Sequence, residues 1–238
     1  TIAIFKMLTS PNTYIDGNIV VERIVFLQFV YGSGAQTLNG TITLRGPISL
    51  QAGNAPLIFS SVISGPGGIV SYIYGTGEAL IFAASNTYSG PTVIGDGMKL
   101  MFTNNGALPE SSPIFFGGSN PANDSLDVSS LPGQTFTLSN NQLLGGIGAV
   151  NGSLIIAPGA VLSPAGTNVL LGITNGMNAI GMIVVSNNIT LNGTTIIKLD
   201  GSGTNDMVQA GTNIIYGGAL NLVNISGSSL VVGDSFQI

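Results

Sequence analysis

The stretch LIFSSVISGPGGIVSYIYGTGEALIFAASNTYSGPTVIGDGMKL, residues 57–100, is built from short apolar runs cut by glycine. Ala79-Leu80-Ile81-Phe82 and Thr92-Val93-Ile94 are strand-sized and rich in β-branched or apolar residues. Gly75-Thr76-Gly77, Ser89-Gly90-Pro91 and Gly95-Asp96-Gly97 bound them with turn chemistry. No run is long enough, or spaced at three and four residues, to make a helix. A unit this short cannot bury its own apolar face, so it must stack on copies of itself. The fold class that follows is all-β, a single-stranded parallel β-helix.

Looser versions of the unit continue to the end of the chain. Strand-sized runs occur at Thr41–Leu44, Ile48–Leu50, Thr135–Leu138, Ser153–Ile156, Ile183–Val185, Thr194–Leu199 and Ala219–Leu222. The expected domain is a solenoid over 37–238, with about ten rungs of roughly 20–25 residues and a rod on the order of 50 Å long. Residues 104–131 are less regular, holding Pro109, Pro113 and Pro121, and read as a loop-rich insertion.

Residues 1–36 read differently, as an N-terminal extended strand that serves as cap or connector. Ile19 to Tyr31 contains neither Gly nor Pro, and as one strand it would span about 40 Å. Both of its faces are mainly apolar, so it requires cover on two sides. The last residues, Leu230 to Ile238, read as a terminal strand without a polar cap. Unpaired strand ends invite further strands, and head-to-tail contacts that do not close make filaments. The residues expected to carry self-association are Val21, Val25, Phe26, Leu27, Phe29, Tyr31, Phe236 and Ile238.

Composition excludes several function classes. The chain has 238 residues, 35 of them Gly, with 6% charged, a net charge of −5 and no Cys or His. Charge at about a quarter of its usual share and a mean hydropathy of +0.50 rule out a disordered chain. Five scattered basic residues offer no electrostatic footprint for nucleic acid. Disulfides, thiolate or imidazole zinc sites and His-based acid–base catalysis have no residues to build them. No apolar run reaches the ~20 residues of a membrane span. The first residue is Thr1, which reads as a removed leader or a piece of a longer protein.

Three motifs resemble a known repeat. SGPGG at 64–68, GTGEALIF at 75–82 and NTYSGPTVIGDGMKL at 86–100 are similar to the passenger-associated strand repeat of bacterial autotransporters. Segments 145–166, 188–209 and 217–238 resemble the downstream part of that family, so the likeness covers about 38–238 and leaves 1–36 unmatched. The resemblance implies a secreted parallel β-helix of a bacterial cell surface. Related proteins usually continue further, often to a membrane β-barrel, which this sequence does not contain.

No catalytic, cofactor or metal residue is expected. Asp124 and Asp127 could form a carboxylate pair for glycoside cleavage, but a solvated acidic loop without basic neighbours is the favoured reading. Asp200-Gly201-Ser202-Gly203-Thr204-Asn205-Asp206 spaces its oxygens like a calcium loop, lacks the closing Glu, and reads better as a polar turn. Tyr72, Tyr74 and Tyr88, with Phe59, Phe82 and Phe102, read mainly as interior ladders, with a glycan-stacking strip as the alternative. The expected protein is a non-enzymatic, extracellular structural subunit or stalk. Its principal partner is a second copy of itself, with surface glycans as another class.

Overall fold

The computed structural model describes residues 3–8, 13–22, 25–31, 34–53, 55–73, 79–103, 105–117, 123–166, 180–200 and 203–237. They form a parallel β-solenoid. One side is a ten-stranded sheet, in the order Ala3–Leu8, Val25–Tyr31, Ile48–Ala52, Ile69–Ile73, Thr92–Gly95, Ile114–Phe116, Leu143–Gly146, Val161–Pro164, Thr194–Leu199 and Ala219–Asn224. The second is a nine-stranded sheet: Thr13–Ile15, Gln36–Leu38, Leu57–Phe59, Ala79–Phe82, Lys99–Phe102, Ser125–Asp127, Gly148–Asn151, Met182–Val185 and Met207–Ala210. Neighbours in each sheet are one turn of chain apart, so sequence order and spatial order coincide. That is the signature of a solenoid.

The third side is interrupted. It carries a three-stranded sheet of Ile19–Val21, Ile42–Leu44 and Ile63–Ser64, then a four-stranded sheet of Thr135–Leu138, Ser153–Ile156, Ile189–Leu191 and Ile214–Tyr216. Between them, among the described residues, only the parallel bridge Ser85↔Ala107 continues the ladder.

Period-two alternation explains the interior. Leu57, Leu80, Leu100, Leu126, Val150 and Val185 pair in register as one inward column, and all are buried. Leu38, Phe59, Phe82 and Phe102 form a second. Within it the Phe59 and Phe82 rings meet edge to face at 5.7 Å, and Phe102 stacks on Phe136 across the interior at 6.4 Å. Like on like fills each layer without voids, so a Leu→Ala change in such a column costs about 2–5 kcal/mol. Phe59, Phe82, Phe102 and Tyr88 are therefore interior, as the alternation implied, whereas Tyr72 is not. Tyr88 is fully buried and bonded to Thr92 Oγ1 at 2.5 Å. Tyr74 lies outside the described residues.

The N-terminal expectation needs correction. Ile19 to Tyr31 is not one strand. Ile19–Val21 belongs to the third side and Val25–Tyr31 to the ten-stranded sheet, so the two runs lie in different sheets. Val25–Tyr31 is bonded to Ala3–Leu8 on one edge and Ile48–Ala52 on the other. Both long sheets cross the expected 36/37 boundary, and residues before 37 supply ordinary rungs. Likewise 104–131 is not simply an insertion, because it contributes Ile114–Phe116 and Ser125–Asp127 to the two long sheets. Residues 230–237 are not a strand. They include a turn in which Val231 N donates to Asp234 Oδ2 at 2.8 Å.

Candidate functional site

Two places on the rod have the makings of a site: its last rung and the gap in its third side. At the last rung, Thr195 pairs with Leu220, Ile197 with Leu222, Ile189 with Ile214 and Leu191 with Tyr216. Leu220, Leu222, Ile214 and Tyr216 therefore continue the interior columns. They have a layer below them and little above: Leu220 is 47% exposed, Leu222 52% and Tyr216 63%. Among the described residues, the Ala219–Asn224 strand is bonded on one edge only. The tail beyond it crosses part of this end, where half-buried Phe236 packs against the core. Asn205 Nδ2 holds the Gln237 carbonyl at 2.6 Å.

The structure redistributes the expected association residues. Val21 is buried in the core, where no partner can reach it. Val25, Phe26, Leu27, Phe29 and Tyr31 lie in a strand whose two edges are both occupied. Phe236 sits at the last rung, and Ile238 is outside the described residues. The last rung instead exposes Leu220, Leu222 and Tyr216, which the regular ladder made look like ordinary interior residues.

The gap in the third side forms an open groove of about 660 Å³ lined by 85–87, 107–111, 139 and 140. Proline explains part of the missing ladder, since Pro91, Pro109 and Pro113 bring no N–H. Buried side-chain amides replace the lost backbone bonds. Asn86 accepts from Ile63 N at 2.9 Å and donates to the Ala84 and Ala107 carbonyls at 3.1 and 2.9 Å. Gln142 donates to the Pro109 and Ser112 carbonyls at 2.8 and 3.2 Å and accepts from Ser139 N at 2.7 Å. Ser112 Oγ closes the base on the Gly90 carbonyl at 2.5 Å. Both walls are thereby fixed to the rod.

Buried polar groups elsewhere follow the same logic. Lys198 and Asp206 form an ion pair at 2.5 Å with side chains only 8% and 0% exposed. Lys198 Nζ also donates to the Pro164 carbonyl at 2.5 Å, and Gly181 N donates to Asp206 Oδ1 at 2.8 Å. Pro164 and Gly181 flank the connection between two strands, so the pair clamps its base. Asp206 is thereby committed to a cation of the protein. Asp200 accepts from Thr204 Oγ1 at 3.2 Å, while Asp200 N donates to the Thr204 carbonyl at 2.8 Å. These bonds bring the two ends of the segment together, while Gly201 and Ser202 lie outside the described residues.

Asp124 and Asp127 do not sit in a solvated loop, which corrects the sequence reading. Both are buried. Asp124 Oδ1 accepts from Gly97 N at 2.6 Å, while Oδ2 has no partner. Burial pushes this carboxyl up to about 7, against the Gly97 bond and with help from the Asp96 charge. For Asp127 burial also pushes upward, but hydrogen bonds from Ser129 and Asn151 and the nearby Lys99 outweigh it, so its carboxyl is held below the usual range. A basic residue does attend it, contrary to expectation. Neither acid lines the groove. Among the described residues no group of three or more His, Cys, Asp or Glu side chains is arranged to hold a metal ion.

Tyr72 belongs to a second apolar cluster on the outer face of the ten-stranded sheet, with Val70, Val93, Phe115 and Leu143. Its hydroxyl is pushed up to about 12 by burial and by Asp96. Continuous apolar character along these strands signals cover on both faces. Among the described residues no helix is long and apolar enough to cross a membrane. Comparison with known protein families, curated proteins and solved structures finds no match.

Proposed function

We propose that the chain is a non-enzymatic structural segment of an extracellular fibre or stalk on a bacterial surface, and that copies join end to end. The observation that carries this reading is the last rung. Leu220, Leu222 and Tyr216 hold the positions of interior residues yet stand about half exposed, beside a strand edge that pairs with no other described strand. A parallel strand laid on that edge would extend the columns by one layer. At the other end, among the described residues, Ala3–Leu8 has a partner on one edge only and is six residues long, the same length as Ala219–Asn224. Docking the first strand of one copy on the last strand of another repeats the register already used within the rod. Such heterologous contacts do not close on themselves and generate a filament.

The surface suits that role. Side chains of neighbouring rungs lie about 4.8 Å apart, so repeated like charges would repel. The chain instead uses Asn, Ser and Thr, with 6% charged residues. Asn39 bonds Asp16 at 2.7 Å and Ser60 bonds Asn39 at 2.7 Å, a polar ladder along one corner.

Electron microscopy and sedimentation of residues 1–238, beside Leu220→Asp/Leu222→Asp, test the proposal. Concentration-dependent rods that elongate end to end and become monomeric in the variant are expected. Monomers in both samples at hundreds of micromolar would sink it.

A further inference from the structure

We infer that the groove on the interrupted third side is a binding site for a neutral oligosaccharide chain lying along the rod axis. The inference stands on the groove alone and is independent of end-to-end assembly.

The first argument is the division of labour among the polar groups. Asn86 and Gln142, buried below the surface, spend their amides on backbone groups. The hydroxyls of Ser85, Thr87 and Ser111, the Asn140 amide and the Glu110 carboxylate are exposed at the rim. Among the described residues none of these side chains has a hydrogen-bond partner. A polyhydroxylated ligand needs such groups, both donating and accepting, spaced along a line. The buried amides hold that line still before any ligand arrives, which lowers the entropy lost on binding.

The second argument is the shape. The lining comes from three levels of the solenoid, 85–87, 107–111 and 139–140. Rungs are spaced by about 4.8 Å, so the rim runs on the order of 10 Å along the axis and accommodates two to three sugar rings. The groove is open, which suits the middle of a chain rather than an enclosed monosaccharide. Ala107, Leu108 and Pro109 add an apolar surface to the lining against which the C–H face of a sugar ring can rest.

The third argument is charge. Glu110 is the one ionisable residue among the ten that line the groove. With no cation present, a uronate or sulfated chain meets repulsion and finds no counter-charge. A neutral chain suffers neither penalty.

The test uses the full chain carrying Leu222→Asp, so that end-to-end assembly does not confuse the signal. Cellohexaose, mannohexaose and maltohexaose serve as probes, with hexagalacturonate as the anionic control. Binding is followed by calorimetry and by backbone amide shifts. Saturable binding of at least one neutral hexasaccharide is expected, with shifts centred on 85–87, 107–111 and 139–140. Ser111→Trp, which fills the groove from an exposed position, should weaken it at least tenfold, and Asn140→Ala by severalfold, with thermal melting unchanged. Three results would each overturn the inference: no shifts with any neutral probe at 10 mM, binding that Ser111→Trp leaves unaltered, or tighter binding of hexagalacturonate.

Discussion

The two long sheets and the interrupted third side solve one problem differently. On the long sides the backbone pairs over most of their length, and the inward positions are mostly apolar: Leu57 to Val185 in one column, and Ile48, Ile69, Ile114, Leu144 and Leu162 in another, with Thr92 standing between Ile69 and Ile114. On the third side the ladder fails between Ile63–Ser64 and Thr135–Leu138. There Asn86 and Gln142 make the bonds that amide and carbonyl groups make elsewhere. Lys198 repeats the device where the pairing of Val161–Pro164 with Thr194–Leu199 stops after two residue pairs. The buried side chains of Asn86, Gln142 and Lys198 therefore stand where backbone pairing stops, and at Asn86 and Gln142 the surface opens into the groove.

The largest effect is expected at the clamp. Lys198→Met leaves Asp206 buried without its cation, a loss of about 3–5 kcal/mol, read as a lowered midpoint in urea. Adding Asp206→Leu should recover much of it, since two apolar groups need no mutual satisfaction. A double variant no better than the single one would show that the Pro164 and Gly181 contacts carry the effect instead.

Next comes a position inside an unbroken sheet. Gly146 has φ +94°, and a Cβ there would lie 1.8 Å from the Phe116 carbonyl oxygen of the previous rung. Gly146→Ala is expected to destabilise by roughly 2–4 kcal/mol. At the gap, Asn86→Ala strands the Ile63 amide and takes a second donor from the Ala84 and Ala107 carbonyls, which keep their backbone partners, and should cost about 1–3 kcal/mol. If Asn86→Ala melts like the parent, the amide is not a substitute ladder and the comparison between the sides fails.

Asp124 offers a pH test. Its folded carboxyl holds a proton up to about pH 7, whereas an unfolded aspartate releases it near ~3.9. The folded state therefore binds this proton more tightly. Its contribution to stability is complete below about pH 4 and is lost as pH rises through the window to about 7. Asp127, held below the usual range, works in the opposite sense and loses its contribution only on acidification below about pH 4. Between pH 5 and 7 Asp124 should thus account for the fall in stability, on the order of 1–2 kcal/mol. Asp124→Asn should flatten that slope, and urea midpoints at pH 5, 6 and 7 measure it. The smallest change in stability is expected for Leu222→Asp, under about 1 kcal/mol because the side chain is already half exposed. Its effect should fall on assembly.

Much of the ladder was legible in the chain itself. Alternation at Ala79–Phe82, Thr135–Leu138 and Ser153–Ile156 fixes which side chains point inward, because a pleated strand has a period of two. The turns at Gly95-Asp96-Gly97 announce themselves because few residues tolerate φ > 0, as Asp96 and Gly97 do here. The groove was not legible. Asn86 and Gln142 look like any other amide in a chain full of them, and only the third dimension brings the Pro109 carbonyl to a side chain 33 residues away.

The sequence by itself determined that short, alternating, glycine-cut runs must stack in parallel, since no one of them can bury an apolar face alone. Tertiary structure decided everything that depends on which turn lies above which. It put Ile19–Val21 and Val25–Tyr31 in different sheets and placed Val25–Tyr31 between two partners. It drew Asp124 out of solvent and set Lys198 against Asp206. It also left Leu220, Leu222 and Tyr216 without a layer above them. Local pattern acts over a few residues, whereas stacking joins groups about twenty or more apart, and only the closed turn fixes that distance.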